Sequence, residues 1–286
     1  MFRSFFTCLL LLAAGICSAQ QTSENSLLWQ ISGKGLSKPS YVFGTIHLIC
    51  TDDFVWSNKI SNGIKASDKV CFELDLDDEN LYKDMASGMK DTSESSLREI
   101  LTASQYQRLE RFMKDSLHMN LSSFEQLNPT MLSSLLLVKV LSCGIPVSYE
   151  MRIQDEAEKS KKEIVGLEQV SEQLAVLNSV ADSNQASDLM SLVDSLSSFR
   201  EEYRKMVSIY KSQNLDELCK FIQSSDQLWE PLDALLDDRN KKWIPRMQSL
   251  MKNGSVFFAV GAAHLCGPNG VIALLRNAGY TMTPVY

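Results

Sequence analysis

Tyr41-Val42-Phe43-Gly44-Thr45-Ile46-His47-Leu48, near one end of a 286-residue chain, and Phe258-Ala259-Val260-Gly261-Ala262-Ala263-His264-Leu265, near the other, share one pattern: an apolar strand, a glycine, two small or β-branched residues, a histidine and a leucine. A glycine where a strand ends permits a tight turn or a close backbone approach. The imidazole three residues on then falls at the rim of a sheet, where ligands sit in α/β folds. The chain has three histidines, and two of them occupy this pattern. A lone histidine beside a turn reads as structural, whereas a matched pair points to one polar site fed from both ends of the chain. The third, His118, follows Lys114 near the end of an expected helix, where the dipole favours a cation, and reads as structural.

Working outward, Leu27 to Ile31, a Gly/Lys/Pro turn from Gly33 to Pro39, and Tyr41 to Phe43 read as a hairpin. A helical stretch from Val55 to Ala66 leads to a strand, Lys69 to Leu76, in which apolar and charged residues alternate from Phe72 onward. From about residue 79 to 160 the pattern is helix after helix. Thr102-Ala103-Ser104-Gln105 has the form of a capping box, and Asn128-Pro129 starts a leucine-rich helix that Gly144 can end. A strand returns at Glu163 to Leu167. Helices then run from Val170 to about Lys252, with a polar Ser/Asp-rich stretch between Asp182 and Ser198. The tail reads strand, helix, strand: Ser255 to Val260, Pro268 to Ala278, Tyr280 to Val285. Strands at both ends with helices between them imply an α/β or α+β fold. Its central mixed sheet is completed by the N- and C-terminal strands, and a large helical insertion, about 79–160, packs to one side. No low-complexity linker divides residues 20–286, which read as a single domain.

Residues 1–19 have the layout of a secretory signal peptide: Arg3, an apolar run from Phe5 to Ile16, then Cys17-Ser18-Ala19. That layout implies an exported protein, periplasmic or secreted. No later segment is apolar enough to span a membrane; Leu132 to Leu141 comes closest, and Ser133, Ser134 and Lys139 interrupt it. The net charge of −7, or −8 without Arg3, argues against nucleic acid and anionic lipid as partners. Of seven cysteines, Cys8 and Cys17 fall in the leader, which leaves the odd set Cys50, Cys71, Cys143, Cys219 and Cys266.

Two histidines are too few for a catalytic metal centre, which takes three or more protein ligands and an open position, so carboxylates must complete the set. Glu73 and Asp75 share one face of their strand, and Glu73 is singled out because it lies inside that strand; Asp77, Asp78 and Glu79 read as charges at a helix N-terminus. Glu168 ends a second buried-looking strand and reads either as a helix N-terminal charge or as a site acid or base. Arg239-Asn240, within Asp237 to Trp243, reads by itself as a solvated charged face.

At these residues the chain resembles the TraB/PrgY/GumN family, to which the Tiki extracellular proteases are related. The resemblance covers about Leu28 to Tyr286. It is carried in order by Gly44-Thr45-Ile46-His47, the strand with Glu73 and Asp75, Gly166-Leu167-Glu168 followed by Gln173, Arg239-Asn240, and Gly261-Ala262-Ala263-His264-Leu265 with Gly267, Gly270, Leu274 and Gly279-Tyr280 beyond. It implies a metal-dependent hydrolase with His47 and His264 at the site and Glu73 beside them, and it raises Glu168, Arg239 and Asn240 to site residues. Cys50 and Cys266 lie outside the family pattern. Three readings stay open for them: a disulfide bracing the site, soft ligands to a zinc ion, or two buried thiols.

The mechanism that follows is hydrolysis of a peptide or ester bond. His47, His264 and Glu73 hold a divalent ion (Mn, Co or Zn), Glu73 or Glu168 serves as general base, and Arg239 and Asn240 stabilise the oxyanion or hold a substrate carboxylate. The partner is a peptide or other small-molecule substrate. Histidine and glutamate activating water without metal form a variant of this scheme. The alternative is a non-catalytic binding protein that sequesters a peptide or glycan fragment in the same cleft; a structural accessory to polysaccharide assembly would leave the paired histidines unexplained.

Overall fold

The expected N-terminal hairpin forms. β1 (Leu28–Ser32) pairs antiparallel with β2 (Ser40–Thr45), Leu28 opposite Phe43 and Ile31 opposite Ser40. Six further strands follow in the computed structural model, which describes residues 25–88, 96–141, 143, 145–177, 179, 182–224 and 233–286. They are β3 (Ile49–Cys50), β4 (Lys69–Phe72), β5 (Pro146–Val147), β6 (Glu163–Gly166), β7 (Val256–Gly261) and β8 (Thr281–Pro284). The signal peptide read over residues 1–19 lies outside the described residues.

Six strands make one mixed sheet in the order β6-β4-β7-β2-β1-β8, and β3 pairs with β5 in a small second one. β6, β4, β7 and β2 are parallel neighbours, while β1 and β8 close the edge antiparallel. The sheet is therefore completed by strands from both termini, as the pattern of elements implied. β7 reads Val-Phe-Phe-Ala-Val-Gly and is buried at every position. A continuous apolar run is what a central parallel strand, covered on both faces, requires. Helices Asn58–Ala66, Tyr149–Lys159, Asp238–Lys252 and Val271–Asn277 pack on this sheet through Ile64, Ile153, Met247 and Leu275, all fully buried.

A second cluster of buried side chains, centred on Leu97, Leu109, Met113, Leu132, Leu136 and Leu189, is built by helices from residues 97–136 and 186–192. The capping box closes as read: Thr102 Oγ1 accepts from Gln105 N at 3.3 Å, and Gln105 Oε1 accepts from Thr102 N at 2.9 Å. Asn128 caps Pro129–Val140 through Met131 N at 2.8 Å. Leu141 leaves that helix extended, and Gly144, the expected stop, lies outside the described residues. His118 closes Ala103–Leu117 in the left-handed region, φ 55°, a structural position.

The polar stretch from Asp182 is helical, Asp182–Asp194: Ala186, Leu189 and Met190 share one face that the second cluster buries, while Ser187, Ser191 and Asp194 stay outside. One expectation needs correction. The strand carrying Glu73 ends at Phe72, and Phe72, Glu73 and Leu74 are buried in succession. Alternating polarity does not mark two faces where a chain leaves a strand for a loop that is walled in on all sides.

The cysteines also pair otherwise than proposed. Cys50 bonds Cys143 and Cys219 bonds Cys266, bridging separations of 93 and 47 residues, while Cys71 is a buried free thiol. A Cys50–Cys266 bridge and zinc ligation by these sulfurs are both excluded by that pairing. Loops of this length give each link about 2–5 kcal/mol of stabilisation, chiefly by restricting the unfolded chain. Residues 20–286, unfolded without reductant, should titrate one thiol; three or five would show that one or both links do not form.

Candidate active site

Four of the candidate residues leave the C-terminal ends of the four parallel strands. In sheet order, Glu168 follows β6, Glu73 follows β4, His264 follows β7 and His47 follows β2. The β2–β7 register sets Gly44 opposite Val260 and Thr45 opposite Gly261, so the two Gly-x-x-His motifs start side by side. Gly44 is required for room. A Cβ on Gly44 would meet Leu265 Cδ1 at 2.8 Å and Ala262 Cα at 3.0 Å, so each motif's backbone is pressed against the other. A Cβ on Gly261 would stand 3.4 Å from Glu73 Oε1, 3.6 Å from His264 Cδ2 and 3.7 Å from His47 Nε2. Both imidazoles and one carboxylate thus converge on a single point in space.

Each ring is oriented from behind. Glu150 Oε1 lies 2.8 Å from His47 Nδ1 and also accepts from Thr45 Oγ1 at 2.5 Å, while Glu150 Oε2 accepts from Ser148 Oγ at 2.7 Å. Asn240 Oδ1 lies 2.7 Å from His264 Nδ1, and Asn240 Nδ2 donates to the carbonyls of His264 and Asn269. Arg239 Nη1 sits 3.2 Å from His264 Nε2. Guanidinium can only donate, so His264 carries its proton on Nδ1 and a lone pair on Nε2. Desolvation is the largest influence on buried His264 and lowers its pKa to about 4, so the ring is neutral at neutral pH. At His47, on the open side of the cleft, desolvation also opposes the charge. The hydrogen bond to Glu150 and the charges of Glu150 and Glu73 outweigh it and hold the pKa up at about 9. Two histidines from one motif are therefore pushed in opposite directions by their surroundings.

Arg239 and Asn240 are buried, which overturns the solvated-face reading. Arg239 Nη2 donates to Glu73 Oε2 at 2.6 Å and to Glu168 Oε1 at 2.5 Å, and Nε reaches both oxygens of Glu168. Trp243 Nε1 adds a bond to Glu168 Oε2 at 3.1 Å, and its ring lies 4.4 Å from that of His264. Glu73 Oε1 accepts from Gly261 N at 2.8 Å, and Gln173 donates to Oε2 at 3.3 Å. Burial works against ionising Glu73. The charges of His264, His47 and Arg239 and the Gly261 N–H prevail and hold its pKa down at about 2. Asp75 stays outside this group: it faces Asp77, and its Oδ1 is buried with no hydrogen-bond partner among the described residues.

Sequence reading missed Glu150 and Trp243. Glu150 sits in the first turn of Tyr149–Lys159, where an acidic residue looks like an ordinary dipole partner, and Trp243 looks like core. Neither carries a local signal; their roles follow from three-dimensional neighbours.

His47 Nε2, His264 Nε2 and Glu73 could together hold a divalent ion. The donor set fits in kind: two imidazoles whose Nδ1 atoms are tied to outer partners, as metal-binding histidines are, and one ionised carboxylate. The formal charges also favour a cation, with Glu73, Glu168 and Glu150 facing Arg239 and protonated His47. As the side chains lie, however, Arg239 bonds both His264 Nε2 and Glu73, and His264 Nε2 is 3.7 Å from Glu73 Oε1. Among the described residues no group of three or more His, Cys, Asp or Glu side chains stands where it could hold a metal ion as the side chains lie. Gly261→Ala tests the convergence point, since a methyl there meets all three groups at ordinary contact distance. The variant should keep its unfolding midpoint and bind divalent ions about tenfold more weakly or worse, checked by calorimetry; unchanged affinity would mean that the three groups do not act together.

The chain matches the TraB/PrgY/gumN family over residues 27–284. Among curated proteins it is similar to metalloprotease TIKI2 of Xenopus tropicalis, 28% identical over 329 aligned positions covering 93% of this chain and 61% of that relative. It is also similar to metalloprotease TIKI1 of Homo sapiens, 27% identical over 91% of this chain and 62% of the relative. A metalloprotease TIKI homolog of Nematostella vectensis is 25% identical over 92% and 68%. The chain thus spans about three fifths of the length of the TIKI1 and TIKI2 proteins. No solved structure matches it.

Proposed function

This chain belongs to the TraB/PrgY/gumN family, and on that premise we propose that it is an exported metal-dependent hydrolase of peptide or ester bonds, acting at the rim formed by His47, His264 and Glu73. The observation that carries the proposal is the convergence of those three side chains on the space that Gly261 leaves open. Relatives named metalloproteases support the reaction class. Two disulfides and the leader-like residues 1–19 support export to the periplasm or the medium. Among the described residues no helix is long and apolar enough to cross a membrane.

In this reading His47 Nε2, His264 Nε2 and Glu73 hold the ion, with Mn, Co and Zn the candidates. A bound divalent ion supplies Lewis acidity, acidifying water and polarising the carbonyl. Glu150 and Asn240 keep the two Nε2 lone pairs aimed at the rim. Both glutamates considered as general base are held by hydrogen bonds, Glu73 by Gly261 N, Gln173 and Arg239 and Glu168 by Arg239 and Trp243. Glu73 borders the histidines and would act as base, through the oxygen not on the ion, only with Arg239 drawn back, while Glu168 positions the guanidinium. Arg239, drawn back from His264, offers Nη1 to a developing oxyanion or a substrate carboxylate. Asn240 has its side chain committed to His264 and Asn269 and acts as a positioning residue.

Mature protein incubated with a peptide library and Mn²⁺, Co²⁺ or Zn²⁺ should yield products detectable by mass spectrometry. His47→Ala together with His264→Ala should remove the metal, and Glu73→Gln should cost at least about 10²-fold in rate. Wild-type metal content in the double variant would sink the metal assignment, and binding without products would favour sequestration over hydrolysis.

The histidine that must give up a proton makes uptake pH-dependent. His47 is protonated below about 9, so at neutral pH a cation competes with one proton. Mn²⁺ affinity measured by calorimetry should rise about tenfold per pH unit from 7 toward 9 and release about one proton per ion. Affinity that is flat over that range would show that His47 is not a ligand.

A further inference from the structure

Behind the rim lies a cleft of about 500 Å³ whose walls are mostly apolar. Phe199, Tyr203, Met206 and Tyr210 of the helix Leu196–Lys211 line it, and their spacing of four, three and four residues sets them on one face. Such a stripe reads as packing, but its two hydroxyls reach a particular place. Tyr210 OH donates to Gly44 O at 2.9 Å, and Tyr203 OH donates to Leu48 O at 2.9 Å. Those carbonyls bracket His47, three residues before it and one after. Ile46, His47 and Leu48 belong to no strand or helix, whereas His264 sits in a short 3-10 helix, Ala262–Leu265, after which Cys266 N donates back to Ala263 O at 3.1 Å. The side chains of the His47 loop are held from another helix, by Glu150, which accepts from Thr45 Oγ1 and faces His47 Nδ1.

We propose that Tyr203 and Tyr210 are positioning residues: from one face of one helix they clamp the backbone on both sides of His47 and so set where its Nε2 stands relative to His264 and Glu73. A buried phenol needs a partner for its hydroxyl, and a single bond of this kind would be no more than that need met. Two such bonds, two helical turns apart and on the two ends of one short loop, fix both the place and the direction of the chain between them. Phe199 and Met206 lie on the same helix face, so an occupant of the cleft rests on the element that aims the histidine. The part His47 plays in hydrolysis rests on the proposed function; the clamp on its loop does not.

The chain has three histidines, so NMR of histidine-labelled mature protein can follow each ring separately, with His47 identified by the signal that His47→Ala removes. Tyr203→Phe and Tyr210→Phe take away a hydroxyl and keep the ring. Each should shift or broaden the His47 ring signals and leave those of His118 in place, and the double variant should do so more strongly. Zn²⁺ affinity measured by calorimetry should fall in each, since one hydrogen bond contributes a factor of about two to ten. Tyr106→Phe gives up a hydroxyl bonded to Glu125 in the second cluster and serves as the control; it should change neither readout. Should Tyr210→Phe fail to fold, Tyr203→Phe, at a half-buried position, carries the test alone. His47 signals that stay unmoved in folded Tyr203→Phe protein would overturn the clamp, and so would an equal shift from Tyr106→Phe. Shifted His47 signals in a protein whose Zn²⁺ uptake needs neither histidine would leave the clamp standing and sink the hydrolase reading; unmoved signals with histidine-dependent uptake would do the reverse.

Discussion

The parallel pairing of β2 with β7 is the constraint from which the rest follows. Thr45 lies opposite Gly261, so the loops that leave the two strands emerge together although 216 residues separate them in sequence. A slip of one residue would turn every side chain on the strand to the other face. The pairing also crowds the two motifs against each other at Gly44, which leaves no room for a side chain there. The two motifs use their glycines differently: Gly44 is needed where neighbouring strand ends touch, while Gly261 leaves the space on which both imidazoles and Glu73 converge.

The buried charges depend on one another. Arg239 holds Glu73 and Glu168 together, and both glutamates are buried. Groups of this kind cost several kcal/mol each to desolvate, and a mutual ion pair offsets that cost only if the remaining hydrogen-bonding atoms are satisfied. Gly261 N, Gln173 and Trp243 supply those bonds. A tight, charged rim faces a mostly apolar cleft, and the disulfides strengthen that contrast. Cys50 lies three residues after His47, and Cys266 two after His264, so each histidine loop is tied separately to another part of the cleft wall. Cys219 belongs to the helix Leu215–Ser224, which also gives the cleft Leu218 and Phe221.

Much of this was legible in the sequence because it is local. The hairpin, the capping box at Thr102, the Asn128 cap and the returning strand at the C-terminus each depend on a few adjacent residues whose backbone preferences agree. The motif pair was legible because two glycines and two histidines at equal spacing are improbable in a chain with three histidines. Long-range partners were not legible. Glu150 sits where helix dipoles commonly place an acid, and nothing nearby says that an imidazole packs against it. The partners of Cys50 and Cys266 lie 93 and 47 residues away, and five cysteines allow many pairings. Arg239 reads as surface because its neighbours in sequence are charged; burial came from two glutamates that follow other strands. The end of β4 was misjudged for a related reason, since polarity there reflects an ion pair and not a solvent-facing side.

The central claim is that the two histidines and Glu73 share one ion. Crystals of the mature protein soaked in Zn²⁺ would test it most directly through an anomalous difference map. A single strong peak about 2 Å from His47 Nε2, His264 Nε2 and a Glu73 oxygen, with Arg239 withdrawn from His264, is the result expected. Saturating Zn²⁺ that leaves this point empty, or that is held without either histidine, would contradict the account.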